Sequence, residues 1–214
     1  MTFLQLIALL GFIAAIVTAV KTIDVGQLKA SRLQQHLVFG AAASVFILWI
    51  FRAGIYDGLS VHFLWLTALT LTLGVRFAII AATAPLIAVT SLGYEQWSML
   101  GVNGVLGVLV PIGLTHLIYN LSFHRLPRNL FVYVFVCAFI PGGLLIAVKM
   151  VLLGGYYTLD GIYEWLTVKD NYVILTPLML FPEGMLNGMT MTLLIIYKPH
   201  WVYTFHDKFY IDGK

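Results

Sequence analysis

A glutamate sits in the middle of an apolar stretch near the end of the chain, in the run Phe181-Pro182-Glu183-Gly184-Met185-Leu186-Asn187-Gly188. A carboxyl group in such surroundings is costly unless it is paired or put to use. Pro182 brings no N–H to a helix and leaves a backbone carbonyl free. Asn187, four residues on, shares the helical face of Glu183. Two readings stay open for Glu183: a protonated acid hydrogen-bonded to a neighbouring helix, or a group that balances a cation or relays a proton. His62 begins another apolar run, and by itself reads as a wetted interfacial imidazole or as a metal ligand. Asn103, in Leu100-Gly101-Val102-Asn103-Gly104, reads as a helix cap or an interhelical hydrogen bond. Glu95 reads as a solvated loop charge and His116 as a hydrogen bond between helices. His36, His124, His200 and His206 read as interfacial, and Met185, Met189 and Met191 as packing rather than a copper site. The single cysteine, Cys137, excludes an intrachain disulfide and thiolate clusters. No Walker A, G-x-S-x-G or H-E-x-x-H motif is present. The chain therefore reads as no enzyme; a role for Glu183 as intramembrane acid or base lacks a nucleophile or second acid.

The elements that must hold these groups follow from hydropathy. The 214 residues are 61% hydrophobic and 10% charged, with mean hydropathy +0.95, whereas soluble domains carry about 25% charged residues. So much apolar surface needs lipid around it. A helix crosses the hydrocarbon with about 20 residues. Runs near 2–20, 36–55, 59–75, 77–94, 99–119, 130–153 and 172–197 meet that length or approach it. The third and fourth are separated only by Gly74, Val75 and Arg76, and read as a tight hairpin or one broken element. The fold class expected is all-α membrane protein, about seven transmembrane helices, in a single transmembrane domain over 1–214. The first run has no basic flank and is expected to be retained rather than cleaved as a signal peptide.

Charge sets the expected orientation. Lys21, Lys29, Arg32, Arg76, Arg125, Arg128, Lys198, Lys208 and Lys214 fall on one side, Arg52 and Lys169 on the other, and Lys149 inside the sixth helix. The positive-inside rule then places the N-terminus outside and the C-terminus in the cytoplasm. The net charge of +3 is spent on orientation and gives no reason to expect nucleic acid. The longest external loop, 154–171, carries Tyr156, Tyr157, Tyr163 and Trp165 and suits a short helix at headgroup level, and the aromatic tail from Lys198 is expected along the inner interface. Gly11, Ala15 and Ala19 form a small-residue stripe that lets another helix approach.

At this point the chain resembles the cobalt/nickel substrate-binding membrane component of energy-coupling-factor transporters, the CbiM/NikM type. Gly58, His62 and Gly74 have the spacing of that family's glycine, metal-binding histidine and following glycine. Leu100-Gly101-Val102-Asn103 matches its Leu-Gly-x-Asn stretch, and Glu183-Gly184 is similar to its Glu-Gly pair. The resemblance implies seven helices with an external N-terminus and capture of a divalent transition metal such as cobalt or nickel, with no permanently bound cofactor. It makes His62, Asn103 and Glu183 the candidate metal set. It also implies contact of Gly11, Ala15 and Ala19 with a separate coupling subunit, separate ATPase subunits, and a place in a bacterial inner membrane. Two departures bear on the metal site. The family begins Met-His and folds that terminus into the site, whereas residue two is Thr2; and its His-Gly-Gly is replaced by Glu95-Gln96-Trp97. The alternative expectation is a relative without transport, serving as a scaffold in a membrane complex.

Overall fold

The computed structural model describes residues 1–210. Helix α1, Phe3–Thr22, is opened by a capping box in which Thr2 accepts from the Gln5 N–H and the Gln5 side chain returns to Thr2. A short α2, Val25–Ala30, leads to α3, Arg32–Ile50, capped by Ser31. Residues 51–65 are not helical, apart from one antiparallel bridge between Ala53 and Val61 that pins the loop on itself. Then come α4, Leu66–Ser91, α5, Trp97–Arg125, and α6, Leu130–Leu159. Short α7, Trp165–Asn171, precedes α8, Thr176–Tyr197, and α9 is Asp207–Tyr210. Among the described residues six helical stretches are long and apolar enough to cross a membrane, Trp165–Tyr197 counting as one.

The expected helix at 59–75 is helical only from Leu66, so His62 lies in the loop rather than at a helix start. Nor is α4 a single rod. Gly74 has φ 75° and ψ 162°, a conformation that ends a helix and that only glycine adopts cheaply. Backbone bonds place the two ends of this region. Thr72 O accepts from Tyr203 N, and Leu71 O from Thr204 N. Arg76 Nη1 donates to Thr22 O at the end of α1, whereas Glu95, beyond α4, meets Arg52 beyond α3. The Gly74 break therefore sits with Thr22 and the tail at one end of the bundle, and Arg52 and Glu95 at the other. We call these the basic end and the acidic end; Thr2 and Asp160 also meet at the acidic end.

Helices α5 and α6 each contain a seven-residue stretch of wider π winding, Asn103–Leu109 and Tyr133–Phe139. A proline follows within two residues of each, Pro111 and Pro141. Proline donates no N–H and crowds the preceding turn, and wider winding relieves that. Close approach of α1 to α5 depends on glycine: a Cβ at Gly101 would lie 2.3 Å from Leu9 N, and one at Gly104 2.4 Å from the Phe12 ring. The small-residue stripe is divided by this packing. Ala19 is buried in the chain's own core, Ala15 is half-buried, and Gly11 is exposed with open space beyond it.

Candidate functional site

Five polar side chains from four elements converge at the acidic end. Arg52, just past α3, donates through Nη1 to Glu95 Oε1 at 2.5 Å, through Nε to Trp49 O at 2.9 Å and through Nη1 to Ser60 Oγ at 3.3 Å. Glu95 is not the solvated loop charge that its position suggests: its side chain is 10% exposed and Arg52's 9%. Its second oxygen accepts from Asn103 Nδ2 at 3.0 Å. Asn103 thus works from the first residue of the π stretch of α5. It holds Glu95, whereas Glu183 has other partners.

His62 is fixed by the loop. Its ring lies 5.4 Å from that of Trp49, whose Nε1 donates to Leu64 O at 3.3 Å. His62 Nδ1 is 3.1 Å from the Phe63 carbonyl, which only accepts, so that nitrogen carries the hydrogen. The lone pair of Nε2 is left facing Lys149 Nζ of α6, 3.5 Å away. An imidazolium would set N–H against ammonium, so the geometry demands the neutral ring. Lys149 is 5% exposed, and its Nζ also stands 5.9 Å from the centre of the buried Tyr172 ring. Together with Trp49, Gly107 and apolar side chains, these groups enclose a cavity of about 20 Å³, the room of one water or one small ion.

Glu183 is buried at 1% exposure and points into the bundle. Its carboxyl group accepts three N–H donors: Leu64 N at 2.9 Å, Trp65 N at 2.7 Å and Asn187 Nδ2 at 2.9 Å. Asn187 Oδ1 in turn accepts from Ala68 N at 2.8 Å. Helix α4 is preceded by Trp65 at its N-cap, which has left-handed φ 56° and supplies no side-chain cap. Glu183 and Asn187 supply that cap from α8. An acidic group facing the N-terminal N–H groups of a helix is favoured by the helix dipole as well as by the bonds. Glu183 therefore fastens the loop that carries His62.

The expected metal set, His62, Asn103 and Glu183, is not gathered on one centre; each is turned to a different partner. Among the described residues no cluster of three His, Cys, Asp or Glu is placed to hold a metal ion. The residues that sequence reading missed are Lys149 and the Arg52–Glu95 pair. A lysine within an apolar run was itself the signal, since such a charge needs a partner. His116 is another correction: it is exposed and meets Asn120 of its own helix at 3.0 Å rather than bridging helices. Tyr156 and Tyr157 lie buried in the last turns of α6 rather than on the short helix α7.

The tail departs from expectation too. Lys214 lies outside the described residues, but segment 202–210 packs into the basic end instead of lying along its surface. Val202, Thr204, Phe205 and Tyr210 are buried. Thr204 Oγ1 donates to Leu71 O at 2.8 Å and meets Tyr133 Oη at 2.6 Å, and Thr204 O accepts from Tyr119 Oη at 2.9 Å. Phe205 and Tyr210 stack with ring centres 5.0 Å apart.

With this geometry in place, comparison with known proteins is informative. The sequence model of a family described as the cobalt uptake substrate-specific transmembrane region matches residues 3–201. No curated protein matches the chain. Two solved structures share its fold. One, described as a truncated transition metal transporter, has TM-score 0.74 at 16% identity over 90% of this chain and 94% of that one. The other, described as a transition metal transporter, has TM-score 0.72 at 17% identity over 89% and 87%.

Proposed function

The chain belongs to the cobalt uptake substrate-specific transmembrane (CbiM) family, and from that premise we propose that it is the substrate-binding membrane component of an energy-coupling-factor transporter. It is a multi-pass membrane protein of a transporter family, not of an enzyme family. In this reading the acidic end faces outside and the basic end the cytoplasm of a bacterium, as the distribution of lysine and arginine supports. Loop 51–65 with the first half of α4 makes one crossing, and the rest of α4, after the reversal at Gly74, makes the next. The chain then crosses seven times. The coupling subunit and the ATPase subunits are separate chains, and the exposed part of α1 around Gly11 and Ala15 is where the coupling subunit packs.

The substrate in this reading is a divalent transition metal such as cobalt or nickel, entering from outside. A vestibule of about 140 Å³, lined by Asp57, Tyr94, Tyr157 and Tyr163, shares Glu95 with the chamber. The observation that carries the proposal is the buried chamber itself, of ion size, with a neutral imidazole aimed into it. His62 Nε2 is the first ligand, a nitrogen donor suited to these metals. Asn103 positions Glu95, and Glu183 positions the loop. Calorimetric titration of cobalt and nickel into the purified chain and into His62→Ala tests this: binding by the former and its loss in the latter are expected. Absence of binding by the folded chain would leave a second reading, a scaffold without transport. The engagement of Nε2 by Lys149 favours that reading, and co-purifying chains would identify it.

A further inference from the structure

We propose that Lys149 decides what the chamber accepts: its ammonium stands in for a cation on His62 Nε2, and a divalent metal reaches that nitrogen only when Lys149 leaves it. The inference rests on the metal reading of the chamber and adds a specificity-determining residue to it. Three observations carry it. The first is the direction of the contact. Phe63 O fixes the His62 tautomer, so the nitrogen facing Lys149 is the one with a lone pair, the atom a metal would use. At 3.5 Å the contact is long for a hydrogen bond, as suits a group that can be displaced.

The second is charge. Arg52 takes Glu95, and among the described residues no ion pair joins Lys149 to a carboxylate. The buried charged groups around the chamber and its floor are Arg52 and Lys149 against Glu95 and Glu183. With both carboxyl groups ionised and His62 neutral, these four balance. A further two positive charges would enter an already balanced set in a low-dielectric interior, where such an excess is costly. Removal of Lys149 leaves an excess of one negative charge and frees the imidazole, and both changes favour a metal cation. The third is room. The cavity of about 20 Å³ that remains beside Lys149 admits an ion only without its hydration shell, and the lysine head stands against His62 Nε2, so lysine and metal compete for that nitrogen. The four-carbon stem is flexible, and the Tyr172 ring already 5.9 Å from Nζ lets the ammonium leave Nε2 while keeping an aromatic face beside it.

The test is cobalt(II) and nickel(II) binding, read by calorimetry and by the visible absorption of cobalt, on the full chain in lipid nanodiscs. The wild type is compared with Lys149→Met, Lys149→Gln, and Lys149→Met combined with His62→Ala. Lys149→Met should bind at least about tenfold tighter than wild type, as loss of a close like charge implies, and His62→Ala should abolish the gain. Lys149→Gln, which keeps a polar group in place, should show the same direction and serves if Lys149→Met does not fold. If wild type binds and neither folded variant binds more tightly, the role of Lys149 is overturned and the metal reading stands. If only the variants bind, through His62, the role stands and the metal reading of the natural chain falls. If no folded form binds either metal, both fall.

Discussion

The two ends of the bundle are built on the same device and filled in opposite ways. At each, a long helix is widened by a seven-residue π stretch near a proline, Asn103–Leu109 at the acidic end and Tyr133–Phe139 at the basic end. At the acidic end the space is lined with Arg52, Glu95, His62, Lys149 and Asn103, and a cavity remains. At the basic end it is filled by the chain's own tail, with Thr204 bonded to Leu71, Tyr133 and Tyr119 and with Phe205 stacked on Tyr210. Charges taken from water are expensive, so the chamber holds together only while they balance. Aromatic rings and one saturated threonine demand no such balance and make a durable seal. One end is therefore suited to exchanging a small polar guest and the other to keeping the bundle closed.

The sharpest way to break the comparison is at Glu183, which anchors the chamber's loop. Glu183→Ala leaves Leu64 N and Trp65 N without their acceptor and takes from the Asn187 amide one of its two, the Glu183 backbone carbonyl remaining; it should cost about 3–5 kcal/mol or prevent folding, on the usual cost of stripping a buried polar network. Thermal unfolding in detergent measures it. Glu183→Gln should not be silent either, because an amide NH2 would meet N–H donors; a lowered melting temperature is expected, and an unchanged one would refute the carboxylate cap. The plug comes next. Phe205→Ala should destabilise by about 3 kcal/mol and open the tail beyond Tyr197 to limited proteolysis, while metal titration of the folded fraction stays as in wild type. A change in binding there would show that the two ends are coupled. At the chamber wall, Asn103→Ala removes one donor from Glu95, while the bond to Arg52 persists. A stability loss of about 1 kcal/mol is expected, with weakened cobalt or nickel binding. Smallest of all, Gly11→Leu touches neither end, and stability should stay within about 0.5 kcal/mol. Its effect belongs in co-purification with a coupling subunit, which should weaken.

Parts of this arrangement were legible in the chain. Glu183 and Asn187 announce themselves as polar groups one turn apart in an apolar run, and their shared face and burial follow from the helical period. Their partners did not, because Leu64 and Trp65 contribute backbone N–H groups, which every residue possesses. His62 stood out by type, but its neighbour Lys149 is 87 residues away and had been assigned only to a helix interior. Arg52 and Glu95 each read as loop charges at a membrane surface, where single charges are usually wet. The tail read as interfacial because its aromatic residues alternate with charges. The structure buries Val202, Thr204, Phe205 and Tyr210 and leaves Tyr203, His206 and Lys208 exposed.

By itself the sequence determined the solvent of this protein and the rough placing of its long helices other than the 59–75 stretch. Hydropathy adds up over a local window, and no partner is needed to know that Phe3–Thr22 or Leu130–Leu159 belongs in lipid. It also marked a buried acid as a group that must be answered. Only the tertiary structure decided what answers it. Residues 51–65 form a loop rather than the start of a helix because Glu183 and Asn187 cap α4 from another helix, 119 and 119 positions away for Leu64 N and Ala68 N. Lys149 meets His62 for the same kind of reason: hydrogen bonds and charge balance are satisfied between distant segments, and that matching belongs to the packed bundle as a whole.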